Sequence, residues 1–128
     1  MNVQCDFSFL QTSRQVFLKE LTILFCSYDL NALAPHLADD IEWQLVGDSP
    51  IMGKVSFLEA LATMQSNPAK ELRIQGITVQ GNTGAIHGTM TMGNDQVFSF
   101  ADFYTFSAES EAKVKRITSY VSNLTPDK

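Results

Sequence analysis

The period of the apolar positions divides the chain into two halves. Phe17, Leu21, Leu24, Phe25 and Tyr28 recur three or four residues apart, the spacing of one helix face. Thr12-x-x-Gln15 stands just before them as a capping box, so a helix is expected from about 12 to 28. Asp29 and Asn31 supply caps for a short second helix carrying Leu30, Leu33 and Leu37, with Pro35 in its first turn. From Ile41 to Val46 the period changes to two, which predicts a strand with Ile41, Trp43 and Leu45 on one face and Glu42 and Gln44 on the other. After a loop at 47–50, Met52-Gly53 opens a third helix striped by Phe57, Leu58, Leu61 and Met64 and ended by Ser66-Asn67-Pro68. Period two then returns over about 71–80, 83–92, 96–106 and 113–122, with Gly81-Asn82 as a tight turn between the first two. Residues 1–11 form a lead-in anchored by Phe7, Phe9 and Leu10, and 124–128 a frayed polar tail. Helices first and strands late predict an α+β fold with an antiparallel sheet, as one domain over 1–128.

The segment from Ala85 to Phe106 reads as a hairpin. With a two-residue turn at Asn94-Asp95, Met92 faces Val97, Thr91 faces Phe98, Thr89 faces Phe100 and His87 faces Asp102. Opposed side chains lie about 5 Å apart, within reach of an imidazole–carboxylate hydrogen bond. In this register one face carries His87, Thr89, Phe98, Phe100, Asp102 and Tyr104, and the other Ile86, Met90, Met92, Val97, Ala101 and Phe103. Two apolar faces need two covers. The helices cover one, and a second copy of the chain is expected on the other, as a homodimer through Ile86, Met90, Met92, Val97 and Phe103.

Composition narrows the class. The 128 residues are 45% hydrophobic and 18% charged, which suits one soluble globular domain. Nine Phe residues favour a wide apolar interior. The net charge of -5 and the scattered Lys and Arg argue against a nucleic-acid surface. No apolar run reaches a membrane-spanning length and the N-terminus has no signal-peptide pattern, so a cytoplasmic protein without membrane contact is expected. Cys5 and Cys26 do not make a disulfide framework, and Cys26 reads as a buried thiol on the first helix. Two histidines near one aspartate are too few for a metal centre, and no glycine-rich phosphate loop or nucleophile elbow is present. No metal and no cofactor are expected.

Four stretches add a resemblance: Leu37-Ala-Asp-Asp-Ile-Glu-Trp43, Met52-Gly53, Asp102-Phe-Tyr-Thr-Phe106 and Arg116-Ile-Thr-Ser-Tyr120. In this element order, over about 12–123, the chain resembles the nuclear transport factor two-like superfamily, which includes SnoaL-like polyketide cyclases and ketosteroid isomerase. The resemblance implies a cone: a curved antiparallel sheet wrapped around three N-terminal helices, with a pocket at its wide end and, in many members, dimerisation through the outer sheet face. Asp102 matches the isomerase aspartate that donates a hydrogen bond to the substrate oxyanion. Leu45 stands where the isomerase has its general base and Leu21 where it has its oxyanion tyrosine, which argues against steroid isomerisation by that route. The same register aims His87, Thr89, Trp43 and Tyr120 into the pocket.

A lone buried carboxylate is costly, so Asp102 must be protonated or paired, and His87 is the expected partner. Two readings of the pair stand. In one, Asp102 orients His87, which moves a proton on a bound molecule, with Tyr120 as a second donor. In the other, the pair is a structural clasp. Trp43, Leu45, Phe57, Leu61, Thr89, Phe98, Phe100, Tyr104 and Tyr120 are the expected ligand-binding residues, and a small, apolar, ring-bearing or polyketide-like molecule the expected ligand. Function divides the same way, into a cofactor-independent isomerase, cyclase or dehydratase and a non-catalytic dimeric binding or assembly module. A large pocket with His87 and Asp102 apart favours binding; close pairing at an open cavity favours catalysis.

Overall fold

The computed structural model describes residues 1–6, 12–107 and 113–125. The lead-in residues Phe7, Phe9 and Leu10 and the end of the tail lie outside these. Helix α1 spans Ser13–Cys26, and its capping box is formed: Thr12 Oγ1 accepts from Gln15 N at 3.1 Å and Gln15 Oε1 accepts from Thr12 N at 3.0 Å. Asp29 caps the short α2, Leu30–Leu33, and Pro35 sits in the 3-10 turn Ala34–His36 that follows. Helix α3 covers Lys54–Ala62. The strands are β1 (Asn2–Cys5), β2 (Leu37–Leu45), β3 (Ile51–Met52), β4 (Ala69–Gln80), β5 (Thr83–Met92), β6 (Val97–Phe106) and β7 (Val114–Asn123). They form one open sheet in the order β1-β4-β5-β6-β7-β2-β3. The helices pack on its concave side around Leu18, Leu21, Leu33, Phe57, Leu61, Ile74, Ile86 and Phe106. Among the described residues no helix is long and apolar enough to cross a membrane.

The sheet departs from the expected antiparallel one at two places. Strand β2 runs parallel to β7, and β1, part of the expected lead-in, runs parallel to β4, so the sheet is mixed. The tail also begins later than expected, since Leu124 donates to Val97 O at 2.7 Å and Thr125 Oγ1 accepts from Val97 N at 2.9 Å. On α1 the buried stripe is Leu18, Leu21, Thr22 and Cys26, rotated from the expected Phe17–Leu24 line. Polar Thr22 can sit there because its hydroxyl donates to Leu18 O at 2.9 Å.

The largest correction is the register of the central hairpin. Gly93-Asn94-Asp95 is a three-residue loop, closed by Asp95 N to Met92 O at 2.9 Å and Met92 N to Gln96 O at 2.8 Å, with Asp95 at φ 70°. The extra residue pairs His87 with Ala101 and Ile86 with Asp102, so His87 and Asp102 lie on opposite faces. Ile86 and Met92 are buried inside beside Phe100, Asp102 and Tyr104, while His87 is exposed. The sheet therefore has one apolar inner face and a mixed outer face. The proposed contact surface loses Ile86, Met90 and Met92 to the interior; Val97 and Phe103 alternate outward. The two-faces argument for a homodimer fails with them.

A bulge at Gln75, between the pairs Ile74↔Gly88 and Gly76↔His87, switches the inward set of β4 from Leu72 and Ile74 to Ile77 and Val79 and bends the sheet around the helices. Gly88 permits it, because a Cβ there would lie 1.9 Å from Arg73 O. Gly88→Ala is expected to lose at least about 2 kcal/mol of stability in urea denaturation, through backbone displacement at the bend.

Candidate functional site

The bent sheet and the helix ends enclose a cavity of about 400 Å³. Phe25, Cys26 and Tyr28 enter it from the end of α1, Trp43 and Leu45 from β2, Met90 and Met92 from β5, Phe98, Phe100 and Asp102 from β6, and Ser119 and Val121 from β7. Thr63, Met64 and Ser66, all exposed, edge its outer end. The lining is mostly apolar and aromatic, with polar Thr63, Ser66, Asn67 and Gln96 also lining it and Asp102, Ser119 and Trp43 meeting at the buried end.

Trp43 is fixed on three sides. Its ring stands edge-on to Phe25, with centroids 5.3 Å apart, and lies 5.1 Å from Phe57. Its indole N–H donates to Ser119 Oγ at 3.0 Å. Ser119 is in turn the direct cross-strand partner of Asp102, on the same inner face of the sheet. Asp102 is only 6% exposed. Burial pushes its carboxyl up to about 6, against the opposing pull of Ser119. Burial, and secondarily Asp102, raises the Cys26 thiol so far that it stays protonated. Burial and then Asp102 likewise raise the Tyr104 phenol, whose oxygen lies 3.5 Å from Thr22 Oγ1. Asp102 is thus the one cavity-lining carboxyl among the described residues, and it changes charge close to neutral pH.

The expected site residues fall into three groups. Trp43, Leu45, Phe98, Phe100 and Asp102 line the cavity. Phe57, Leu61 and Tyr104 are sealed in the core around it, Phe57 directly behind Trp43. His87, Thr89 and Tyr120 are on the other side of the sheet. His87 borders a shallow outer groove with Gln75, Ser99 and Tyr120, and Tyr120 packs edge-on against Phe103 with centroids 5.9 Å apart. The His87–Asp102 pair does not form, because the hairpin loop is one residue longer than expected. Ser119, Cys26, Met90 and Met92 were not foreseen. The signal for Ser119 is the alternation Ile117, Ser119, Val121, which puts the serine, not Tyr120, on the inner face.

The profile of the SnoaL-like domain matches residues 20–117, most of the chain. This chain belongs to the SnoaL-like domain family. It is thereby a member of the nuclear transport factor two-like superfamily. No curated protein matches the sequence. Solved structures share the fold at low identity. A candidate SnoaL-like polyketide cyclase from Shewanella denitrificans is 12% identical with a TM-score of 0.75, over 88% of this chain and 92% of that one. A candidate ketosteroid isomerase from Kribbella flavida is 17% identical with a TM-score of 0.71, over 90% of this chain and 82% of that one. An NTF2-like protein of unknown function from Cytophaga hutchinsonii is 21% identical with a TM-score of 0.67, over 86% of this chain and 100% of that one. In this SnoaL-like chain Leu45 lines the cavity, while Leu21 is buried in the core away from it.

The raised carboxyl has a consequence for stability. Asp102 holds its proton more tightly folded than unfolded, so its contribution is fully present below about 4 and is lost as pH rises through about 6. Moving from 3.8 to about 6 corresponds to about 3 kcal/mol. Asp102→Asn removes this term. Urea denaturation is expected to favour the variant over the parent by up to about 3 kcal/mol more at pH 7.5 than at pH 4.

Proposed function

We propose that the cavity binds a small, mostly apolar, ring-bearing molecule, and that Asp102 meets its polar group. The observation that carries this reading is a cavity of about 400 Å³ with a mostly apolar lining that includes aromatic rings and one carboxyl at its buried end. That size is within the range of small-molecule sites, roughly 300–1,000 Å³. The flat face of Trp43, held by Phe25 and Phe57, suits a ring. The separation of His87 from Asp102 also supports binding over a His-Asp proton relay.

Trp43 is the only tryptophan, so its emission reports occupancy. Titration with 2-naphthol, a flat ring with one hydroxyl, is expected to quench it saturably and to raise the melting temperature. At a hundredfold excess over Kd the gain is about 2.7 kcal/mol. Linear collisional quenching without a melting shift, for 2-naphthol and for the ketone 2-tetralone alike, overturns the reading.

A second reading is favoured by the Asp102 carboxyl at about 6, which suits proton transfer near neutrality. Here the protein is an isomerase, cyclase or dehydratase in which Asp102 alone takes or gives the proton. Exchange of the α-protons of 2-tetralone in D2O is then expected to exceed the buffer rate and to rise with pH through about 6, as the carboxylate form of Asp102 accumulates. Asp102→Asn should abolish the excess and keep binding. Equal exchange by parent and variant overturns catalysis by Asp102 and leaves the binding reading in place.

A further inference from the structure

We infer that Ser119 is a positioning residue for Asp102: aligned by the indole N–H of Trp43, its hydroxyl donates to one carboxyl oxygen and leaves the acid proton to the other. The inference rests on the reading that the cavity is a small-molecule site, and it says which atom of Asp102 an incoming molecule meets.

The argument follows from what each group can do. An indole N–H only donates, so at 3.0 Å from Trp43 Nε1 the Ser119 oxygen is the acceptor. The serine has one proton, and that proton must point elsewhere. Ser119 and Asp102 are opposed cross-strand partners on the inner face, both buried and both lining the cavity. Opposed side chains are about 5 Å apart at Cβ, which puts the carboxyl in reach of the hydroxyl. An oxygen accepting from Ser119 is poorly placed to hold a proton as well. In the neutral acid the proton therefore sits on the second oxygen, which can donate to a carbonyl or phenolate oxygen. In the carboxylate that same oxygen accepts from a ligand hydroxyl.

The other ionisable groups do not compete for this role. Cys26 on α1 and Tyr104 on β6 are the titratable groups that interact with Asp102, and both stay protonated where Asp102 titrates. From β5 the opposed residue is Ile86, and no Lys or Arg lines the cavity among the described residues.

The test is a ligand-free titration. Trp43 emission and the Asp102 carboxyl carbon shift are followed against pH in the parent, Ser119→Ala and Ser119→Thr. In the parent the two are expected to titrate together. In Ser119→Ala the Asp102 midpoint should rise by about one pH unit, the size of one charge-assisted hydrogen bond. Trp43 emission should lose its step across that midpoint. Ser119→Thr, which keeps the hydroxyl, should restore both. An unmoved Asp102 midpoint in Ser119→Ala, or an emission step that persists there, overturns the inference. Because no ligand is present, that failure leaves the cavity reading intact. Failure of 2-naphthol and 2-tetralone to bind leaves these titrations standing.

Discussion

The register between β5 and β6 is set by the loop Gly93-Asn94-Asp95, and the whole interior depends on it. Asp95 takes a left-handed conformation that aspartate tolerates better than most residues. Asn94 Oδ1 accepts from Gln96 N at 3.1 Å, and Lys70 pairs with Asp95. These contacts are exposed and individually weak. The larger stabilisation comes from the strands that follow. Sliding β5 by one residue would turn Ile86, Met90 and Met92 out and His87 and Thr89 in. Each large apolar side chain is worth about 1.5–3 kcal/mol on full burial, so the observed register wins by several kcal/mol before the cost of burying an imidazole is added.

That register also isolates a carboxyl. Among the described residues no Lys or Arg lines the cavity beside Asp102, which has one serine opposite it and aromatic rings in the wall around it. Burial outweighs the Ser119 hydrogen bond, so the carboxyl rises to about 6. A neutral side chain of similar shape would fold more readily near neutral pH. A local cost of this kind, inside a cavity, is the pattern expected of a group kept for its chemistry. Trp43 fits the same view. Its ring is packed against Phe25 and Phe57 beside the cavity, and its polar edge is used to hold Ser119.

Much of the fold was legible because long periodic segments carry their own evidence. The capping box at Thr12 and Gln15 and the boundaries of β5 are as the pattern implies. Strand β1 has four residues, too few for a period to show, and pairs only with distant β4. Partner direction is equally silent, since alternation in β2 does not reveal that it runs parallel to β7. The cavity was half legible. Trp43, Leu45, Phe98, Phe100 and Asp102 follow from alternation within single strands. The hairpin pairing instead depended on whether the loop has two residues or three, and Gly-Asn-Asp-Gln accommodates either. One residue there exchanges His87 for Met90 and Met92 at the cavity. On β7 the register implied by the resemblance aims Tyr120 inward, whereas the alternation of Ile117 and Val121 puts Ser119 there.

The groups around Asp102 differ from it in how they hold their protons. Leu45 is part of the cavity wall. Leu21 is sealed in the core, and the Tyr104 phenol, on which Asp102 acts, is buried and held protonated. Cys26 is silenced by the same burial. The Tyr28 phenol, which does line the cavity, is raised by burial as well, so among the described cavity residues Asp102 is the group that changes charge near neutral pH. On the proton-transfer reading, Asp102 is the group whose charge changes, and the protonated Tyr28 phenol stands in the same cavity.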